Sequence, residues 1–168
     1  MGANFGSHTV YFAAIMKARR VHSFEPQAHL IDVIKKTLEL NQIDNVTLHQ
    51  AVAGAKLGKA HLKRTHAENS GMAEFRPGAG DLPVDMLPVD DVVGEEHVTG
   101  VKIDVEGMQM PVLRGMSKTI RRCAPVLWLE LRPAKGEIEQ PSEWLAKRGY
   151  RRQQISFRDF LFIPETPA

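Results

Sequence analysis

Cysteine occurs once in this chain of 168 residues, at Cys123, so no internal disulfide staples the fold and a reducing compartment suits it. No apolar run approaches the ~20 residues that a membrane-spanning helix needs, and the amino end lacks the basic-then-apolar layout of a secretory signal. A block of one charge is also missing. Lysine and arginine number 22 against 20 acids, and the Arg pairs at 19–20, 121–122 and 151–152 lie far apart. Nucleic acid is therefore not the expected main partner, because a dedicated binder concentrates its basic footprint. The histidines (His8, His22, His29, His49, His61, His66, His97) show no His-x-x-x-His or Cys/His spacing, so no metal is assigned. There is no internal repeat and no low-complexity stretch. What is present is ordinary: 43% hydrophobic and 25% charged residues, in a chain long enough to bury a core. The expectation is one soluble, cytoplasmic domain over residues 1–168 with no membrane partner.

Helical and strand patterns alternate along the chain. Residues 8–18 read as a short helix, Val21–Phe24 as a strand that stops at Glu25-Pro26, and the spacing of Leu30, Val33, Ile34, Thr37 and Leu38 as a helix reaching about Asn41. Asp44-Asn45 signals a turn before a strand over Val46–Val52. Lys59–Arg64 and Gly71–Phe75 alternate as a pair of strands around a polar loop at His66–Gly71, followed by another loop over Arg76–Asp81. Val84–Leu87 reads as a strand leading to a turn at Asp90-Asp91. Regular alternation returns with a strand at Val98–Val105 and a helix near Gln109–Arg122. Ala124–Leu131 is almost unbroken apolar sequence, the pattern of a central parallel strand buried on both faces. A helix at Pro141–Arg148 and a terminal strand pair, Tyr150–Ile155 with Phe160–Ile163, complete the chain. Strands separated by helices predict a doubly wound sheet whose ligands sit beyond the carboxyl ends of the strands.

The first candidate site is Gly2-Ala3-Asn4-Phe5-Gly6, immediately before a helix. Glycines there permit a sharp turn and let a ligand approach the backbone closely. Asn4 stands where a dinucleotide fingerprint needs glycine, which disfavours NAD and its pyrophosphate. A phosphate-free ligand such as S-adenosylmethionine tolerates the looser turn. Read alone, the pentapeptide can also be a glycine-containing tail at a chain start. Glu25 ends a strand 19 positions after Gly6, close to the ~20-residue spacing of an acidic ribose binder. Its carboxylate can accept bonds from both ribose hydroxyls, or simply favour the positive end of the next helix. Ala51 and Val52 end the next strand, where small apolar residues can flank a flat ring or merely fill a core.

The second candidate site is Lys102-Ile103-Asp104-Val105-Glu106-Gly107, at the carboxyl end of a strand. Asp104 or Glu106 there can orient a substrate hydroxyl and take its proton, or cap the following helix. Lys102 can pair with either. Glu130 is a further acid, with Arg132 as the neighbour expected to neutralise it. His8 and His66 are remote candidates for a base, and Cys123 reads as a helix-end core residue.

Taken in order, these segments resemble the FkbM-type methyltransferase family. The resemblance runs through Gly2–Gly6 with Thr9, Phe24-Glu25-Pro26, Asn41, Asn45-Val46, Ala51-Val52, Lys102–Gly107, Val112-Leu113-Arg114-Gly115, Pro125–Glu130, Gly149-Tyr150 and Phe160–Pro164. It implies an α/β, Rossmann-like methyltransferase fold, mostly parallel with a carboxyl-terminal antiparallel pair. It also implies S-adenosylmethionine as donor and a hydroxyl acceptor on a sugar, glycan or natural product. By position, Gly2, Asn4, Gly6, Glu25 and Ala51 would meet the cofactor with Asp104 nearby, and Asp104 and Glu106 are the candidate catalytic residues. Gln109 departs from the family, whose members usually carry Glu there. The family also has a strand and an acidic residue ahead of its Gly-Ala-Asn, so the first strand is expected to be missing and the chain to be an amino-terminally truncated member. A homo-oligomer or partner chain is one way to cover the strand edges this would expose. The alternative reading is a non-catalytic remnant of the fold acting as a binding or interaction domain.

Overall fold

The computed structural model describes residues 1–66, 69–78, 80 and 82–166. The chain forms two compact units, Met1–Val52 with Gly58–Met86, and Ala53–Leu57 with Leu87–Ala168. No helix among the described residues is long and apolar enough to cross a membrane.

In the first unit, β1 (Val21–Phe24) and β2 (Val46–His49) pair in parallel, with Val21 opposite Val46 and Phe24 opposite His49. Their crossover is α2 (Ala28–Leu40), preceded in the chain by α1 (Ser7–Val10). The expected helix is there because Leu30, Ile34 and Leu38 recur every four residues and bury one stripe. Pro26 lies just outside it and disfavours helical geometry at Glu25, which keeps that residue extended beyond β1. The helix expected over 8–18 is shorter. After α1 the backbone widens into a π-turn at Tyr11–Ile15 and stops at Lys17, which takes a left-handed φ of 52°. Asn45 ties this segment down by donating to the carbonyls of Ala13 and Ala18 at 3.2 and 2.7 Å.

The strand expected over Val46–Val52 ends at His49, and Val52–Ala53 forms a separate short strand, β3. β4 (Gly58–His66) pairs antiparallel with β5 (Asn69–Pro77) on one side and β6 (Pro83–Leu87) on the other. The polar stretch from His66 is therefore mostly strand, because register shifts after Leu62 and Arg64 let the ladder continue through it. Residues 67 and 68, between these strands, and 79 and 81 in the expected second loop lie outside the described residues.

In the second unit, β7 (Gly100–Ile103), β8 (Val126–Glu130), β9 (Tyr150–Gln154) and β10 (Asp159–Pro164) form one sheet in the order β7-β8-β10-β9. Only β7 and β8 are parallel; β10 runs antiparallel to both β8 and β9. The sheets are thus mixed, and the expectation of a mostly parallel sheet is corrected. A tight turn joins β9 to β10 and reverses the chain, and β10 rather than a third parallel strand takes the place beside β8. Burial on β8 alternates instead of covering both faces: Leu127 and Leu129 are fully buried, whereas Val126 is 39% exposed. Four short helices complete the unit: α3 (Val89–Val93), α4 (Gln109–Gly115), α5 (Ser117–Cys123) and α6 (Glu139–Ala146). The turn expected at Asp90-Asp91 belongs to α3, and the single helix expected near 109–122 breaks at Met116. The break has two visible supports. Gly115 packs so tightly on Gly54 that a β-carbon would overlap its carbonyl, and Asp90 caps the new helix start. The Asp90 carboxylate accepts from the backbone N–H groups of Lys118 and Thr119 at 3.0 and 2.8 Å and from the Thr119 hydroxyl at 2.7 Å. Phe160, Phe162, Leu127, Leu131, Leu113 and Leu145 fill the core, and the Tyr150 hydroxyl donates to the Pro125 carbonyl at 3.0 Å. Burial pushes that phenol up to about 12.

Candidate functional site

The glycine loop of the first unit is wound by left-handed residues. Gly2, Asn4 and Gly6 have φ of 71°, 50° and 85°. Asparagine tolerates that region because its short polar side chain can bond locally. At Gly6 a side chain is barred twice over, by the positive φ and by Ile34 Cγ1 at 3.0 Å from where a β-carbon would sit. The loop is stitched to the end of β1: the N–H groups of Gly2 and Ala3 donate to the Phe24 carbonyl at 3.1 and 3.0 Å. Asn4 N–H donates to Glu25 Oε2 at 2.9 Å. The hydroxyls of Thr9 and Ser23, 2.7 Å apart, hold α1 against β1.

Glu25 is 3% exposed. Its Oε1 accepts from the backbone N–H of Gln27 at 3.1 Å and from the Gln27 side-chain amide at 3.3 Å. Burial pushes the carboxyl above its ordinary value, against the lowering effect of the Gln27 and Asn4 amides. Asn4 Oδ1 is buried without a hydrogen-bond partner among the described residues. The N–H groups of Glu25 and Ala51 both donate to the His49 carbonyl, at 3.1 and 2.9 Å, so the bend at buried Ala51 joins the same group. Gly2, Asn4, Gly6, Glu25 and Ala51 are therefore gathered, as the sequence suggested. His49 escaped notice there. Its ring stacks on Phe24 at 4.7 Å and hydrogen bonds to His22 at 3.0 Å, and burial, then His22, lowers its pKa. His8 is exposed on α1, and His66 is the last residue of β4, with its side chain outside the described residues.

In the second unit, Asp104, Val105, Glu106, Gln109, Glu130 and Arg132 line a small cleft of about 10 Å³ beyond the carboxyl ends of β7 and β8. Lys102 donates to Asp104 Oδ2 at 2.7 Å, with its ammonium 5.2 Å from the centre of the Trp128 ring. Burial raises the Glu130 carboxyl, and a hydrogen bond with Asp104 adds to the rise. Arg132, expected to neutralise Glu130, pairs with Glu106 and Glu137. Glu137 would be raised by burial, but bonds from the Arg132 side chain and backbone hold it below the ordinary carboxylate range. Gln109 bridges this network by donating to the Glu130 carbonyl at 3.4 Å and to Glu137 Oε2 at 3.2 Å. Neither Asp104 nor Glu106 caps α4, whose start carries no side-chain cap. Glu137 and the bridging role of Gln109 had no signal in the sequence, since both depend on how a later loop folds back on β8.

Residues 1–152 match the family model of the methyltransferase FkbM domain. The chain belongs to that family. It is 24% identical over 173 aligned positions to Methyltransferase 1 of Beauveria bassiana (strain ARSEF 2860), covering 89% of this chain and 70% of the relative. Among solved structures it resembles methyltransferase FkbM from Methylobacillus flagellatus KT, with a TM-score of 0.74 at 16% identity over 96% of this chain. It spans only 41% of that protein's length. A Streptococcus mutans protein solved in complex with SAH superposes with a TM-score of 0.58 at 14% identity, over 95% of this chain and 82% of its own. An rRNA methylase from Streptococcus thermophilus gives 0.54 at 16% identity, over 95% and 80%. At these identities the structural likenesses speak for the fold.

Proposed function

We propose that this FkbM-domain chain is an S-adenosylmethionine-dependent methyltransferase acting on a hydroxyl of a sugar, glycan or natural product. The observation that carries the reading is the buried Glu25 carboxylate held by the amides of a left-handed loop at the end of a parallel strand. A carboxylate offers roughly four acceptor directions, and Glu25 fills three within the protein. The buried Asn4 Oδ1, on the same loop and without a partner among the described residues, is an acceptor suited to a ribose hydroxyl or an amino group. Gly6 lets the loop pack directly on Ile34 of α2, which fixes the backbone of Gly2–Gly6 beside Glu25. The residues present therefore fit the cofactor.

S-adenosylmethionine supplies a sulfonium methyl that transfers in line to a nucleophile. The protein's part is alignment and proton removal. Asp104, bonded to Lys102 and to Glu130, is assigned the acceptor hydroxyl and its proton. Glu106 is assigned a positioning role through Arg132, and the family's departure at Gln109 replaces a charge with a neutral bridge.

The test is a thermal melt of the 168-residue chain with S-adenosylhomocysteine. A rise in melting temperature is expected, lost in Glu25→Gln and retained in Asp104→Asn, whose turnover with an accepted substrate falls. A folded protein that S-adenosylhomocysteine leaves unshifted would sink the cofactor reading.

A further inference from the structure

The first helical segment is packed the wrong way round for its sequence. Along α1 and the π-turn that continues it, the residues facing the protein are small: Gly6 against Ile34, then Thr9 and Ala13. The large apolar side chains face solvent. Tyr11 is 46% exposed, Ile15 66% and Met16 60%, and Phe5, in the loop just before the helix, is 56% exposed. Helical spacing sets them on one side, with Met16 one π-turn beyond Tyr11, whose carbonyl accepts its N–H at 2.9 Å. The rings of His8 and Tyr11 both neighbour Phe12, at 6.3 and 5.9 Å, and close the stripe between Phe5 and Ile15. Single apolar side chains are normal on a surface; a helix that buries its small residues and exposes its large ones is not.

The flanking charge has one sign. Residues 1–24 hold Lys17, Arg19 and Arg20, all exposed, and no acid. Lys17 follows Met16 directly, and Arg19 lies within about 11 Å of it along the chain. The acids of the same unit do not cancel these cations. α2 carries Asp32 and Glu39 against Lys35 and Lys36 and is neutral, with Glu39 paired to Lys36 at 2.8 Å. Asp85 pairs with Lys59 and Glu74 with Arg76 in the β4–β6 sheet, and Glu25 is buried. Asp44, next to Asn45, is the one further exposed acid among residues 1–49.

Two arguments select what covers the stripe. Four side chains of about 150–250 Å², each roughly half exposed, present on the order of 400 Å², half of the ~800 Å² per partner that a stable protein interface takes. A twofold contact between copies would also set Lys17 and Arg19 against their own like. An anionic lipid surface meets neither obstacle, because it takes up a narrow apolar stripe at headgroup depth and attracts the cations beside it.

We propose that the stripe from Phe5 to Met16 docks on an anionic membrane surface, a role separate from the methyl-transfer reading. Tyr11, Ile15 and Met16 enter the headgroup layer, and Lys17 and Arg19 meet lipid phosphates. The expectation of no membrane partner rested on the lack of a spanning helix, and a segment lying on the surface needs none.

The experiment is co-sedimentation of the 168-residue chain with phosphatidylcholine vesicles, with and without about a third phosphatidylserine, at low and high salt. Binding to the mixed vesicles is expected, weaker on phosphatidylcholine alone and weaker as salt rises. Ile15→Ser/Met16→Ser should weaken it roughly tenfold or more. Lys17→Gln/Arg19→Gln should weaken it about fivefold per cation and flatten the salt dependence. Circular dichroism checks that each variant folds, and the milder Ile15→Ala, with a smaller fall, covers a double variant that does not. The proposal is overturned if the parent chain stays in the supernatant at low salt, or if either double variant sediments as the parent does. It is equally overturned if light scattering shows a dimer that the serine variant dissociates and vesicles leave intact, the outcome of a second copy on the stripe.

Discussion

At the scale of the residue, Glu25 sets the terms. Burial raises its carboxyl pKa in the folded chain, so the fold favours the protonated form. That contribution to stability is fully present below the unfolded pKa and is lost as pH rises through the folded one. A ligand that hydrogen bonds to the carboxylate has the opposite sign: its affinity is present above the raised pKa and is lost as pH falls through it. The stabilisation by S-adenosylhomocysteine should therefore grow as pH rises from acid toward neutral, while the ligand-free protein gains nothing from Glu25 over the same range. Melts with and without ligand across that range check this, and a pH-independent ligand shift would contradict it. Glu25, Asn4 and the flanking glycines were legible in the sequence because backbone conformation and strand ends leave marks in residue type. His49 and Glu137 were not, since a ring stacked across parallel strands and a carboxylate folded back on Arg132 have no local signature.

At the scale of the element, hydrophobic periodicity located β1, α2, α6 and the final hairpin nearly where they stand. It failed where tertiary contacts override it. The sequence from Gln109 to Arg122 reads as one helix, and the close approach of Gly115 to Gly54 with the Asp90 cap divides it. β8 reads as buried on both faces because its residues are apolar, yet its burial alternates, with Leu127 and Leu129 buried and Val126 exposed. The Asp90 cap can be measured. Asp90→Ala removes the acceptor for two N–H groups at the start of α5 and for the buried Thr119 hydroxyl. The expected loss is about 1–2 kcal/mol in urea denaturation. A loss near zero would show that α5 starts without it.

At the scale of the whole molecule, the candidate residues divide between two compact units: the glycine loop with Glu25 and Ala51 in one, the Asp104–Glu130 pair in the other. Hydrogen exchange with S-adenosylhomocysteine should show added protection at residues 2–6 and 25–27 and none along β4 and β5. Protection confined to that hairpin would assign the ligand elsewhere. The family and the α/β class could be read from the order of short motifs, whereas the mixed sheet could not, because strand direction depends on where β10 inserts. One bond has a wider consequence. The Gln27 side-chain amide, 3.3 Å from Glu25 Oε1, is the longest of that carboxylate's contacts and the one most readily exchanged. Under the proposed cofactor reading, a ligand hydroxyl would compete with this tethered amide, which is always present at high local concentration. Resting stability and ligand affinity then draw on the same oxygen, so a change that loosens Gln27 should tighten binding as it softens the empty protein.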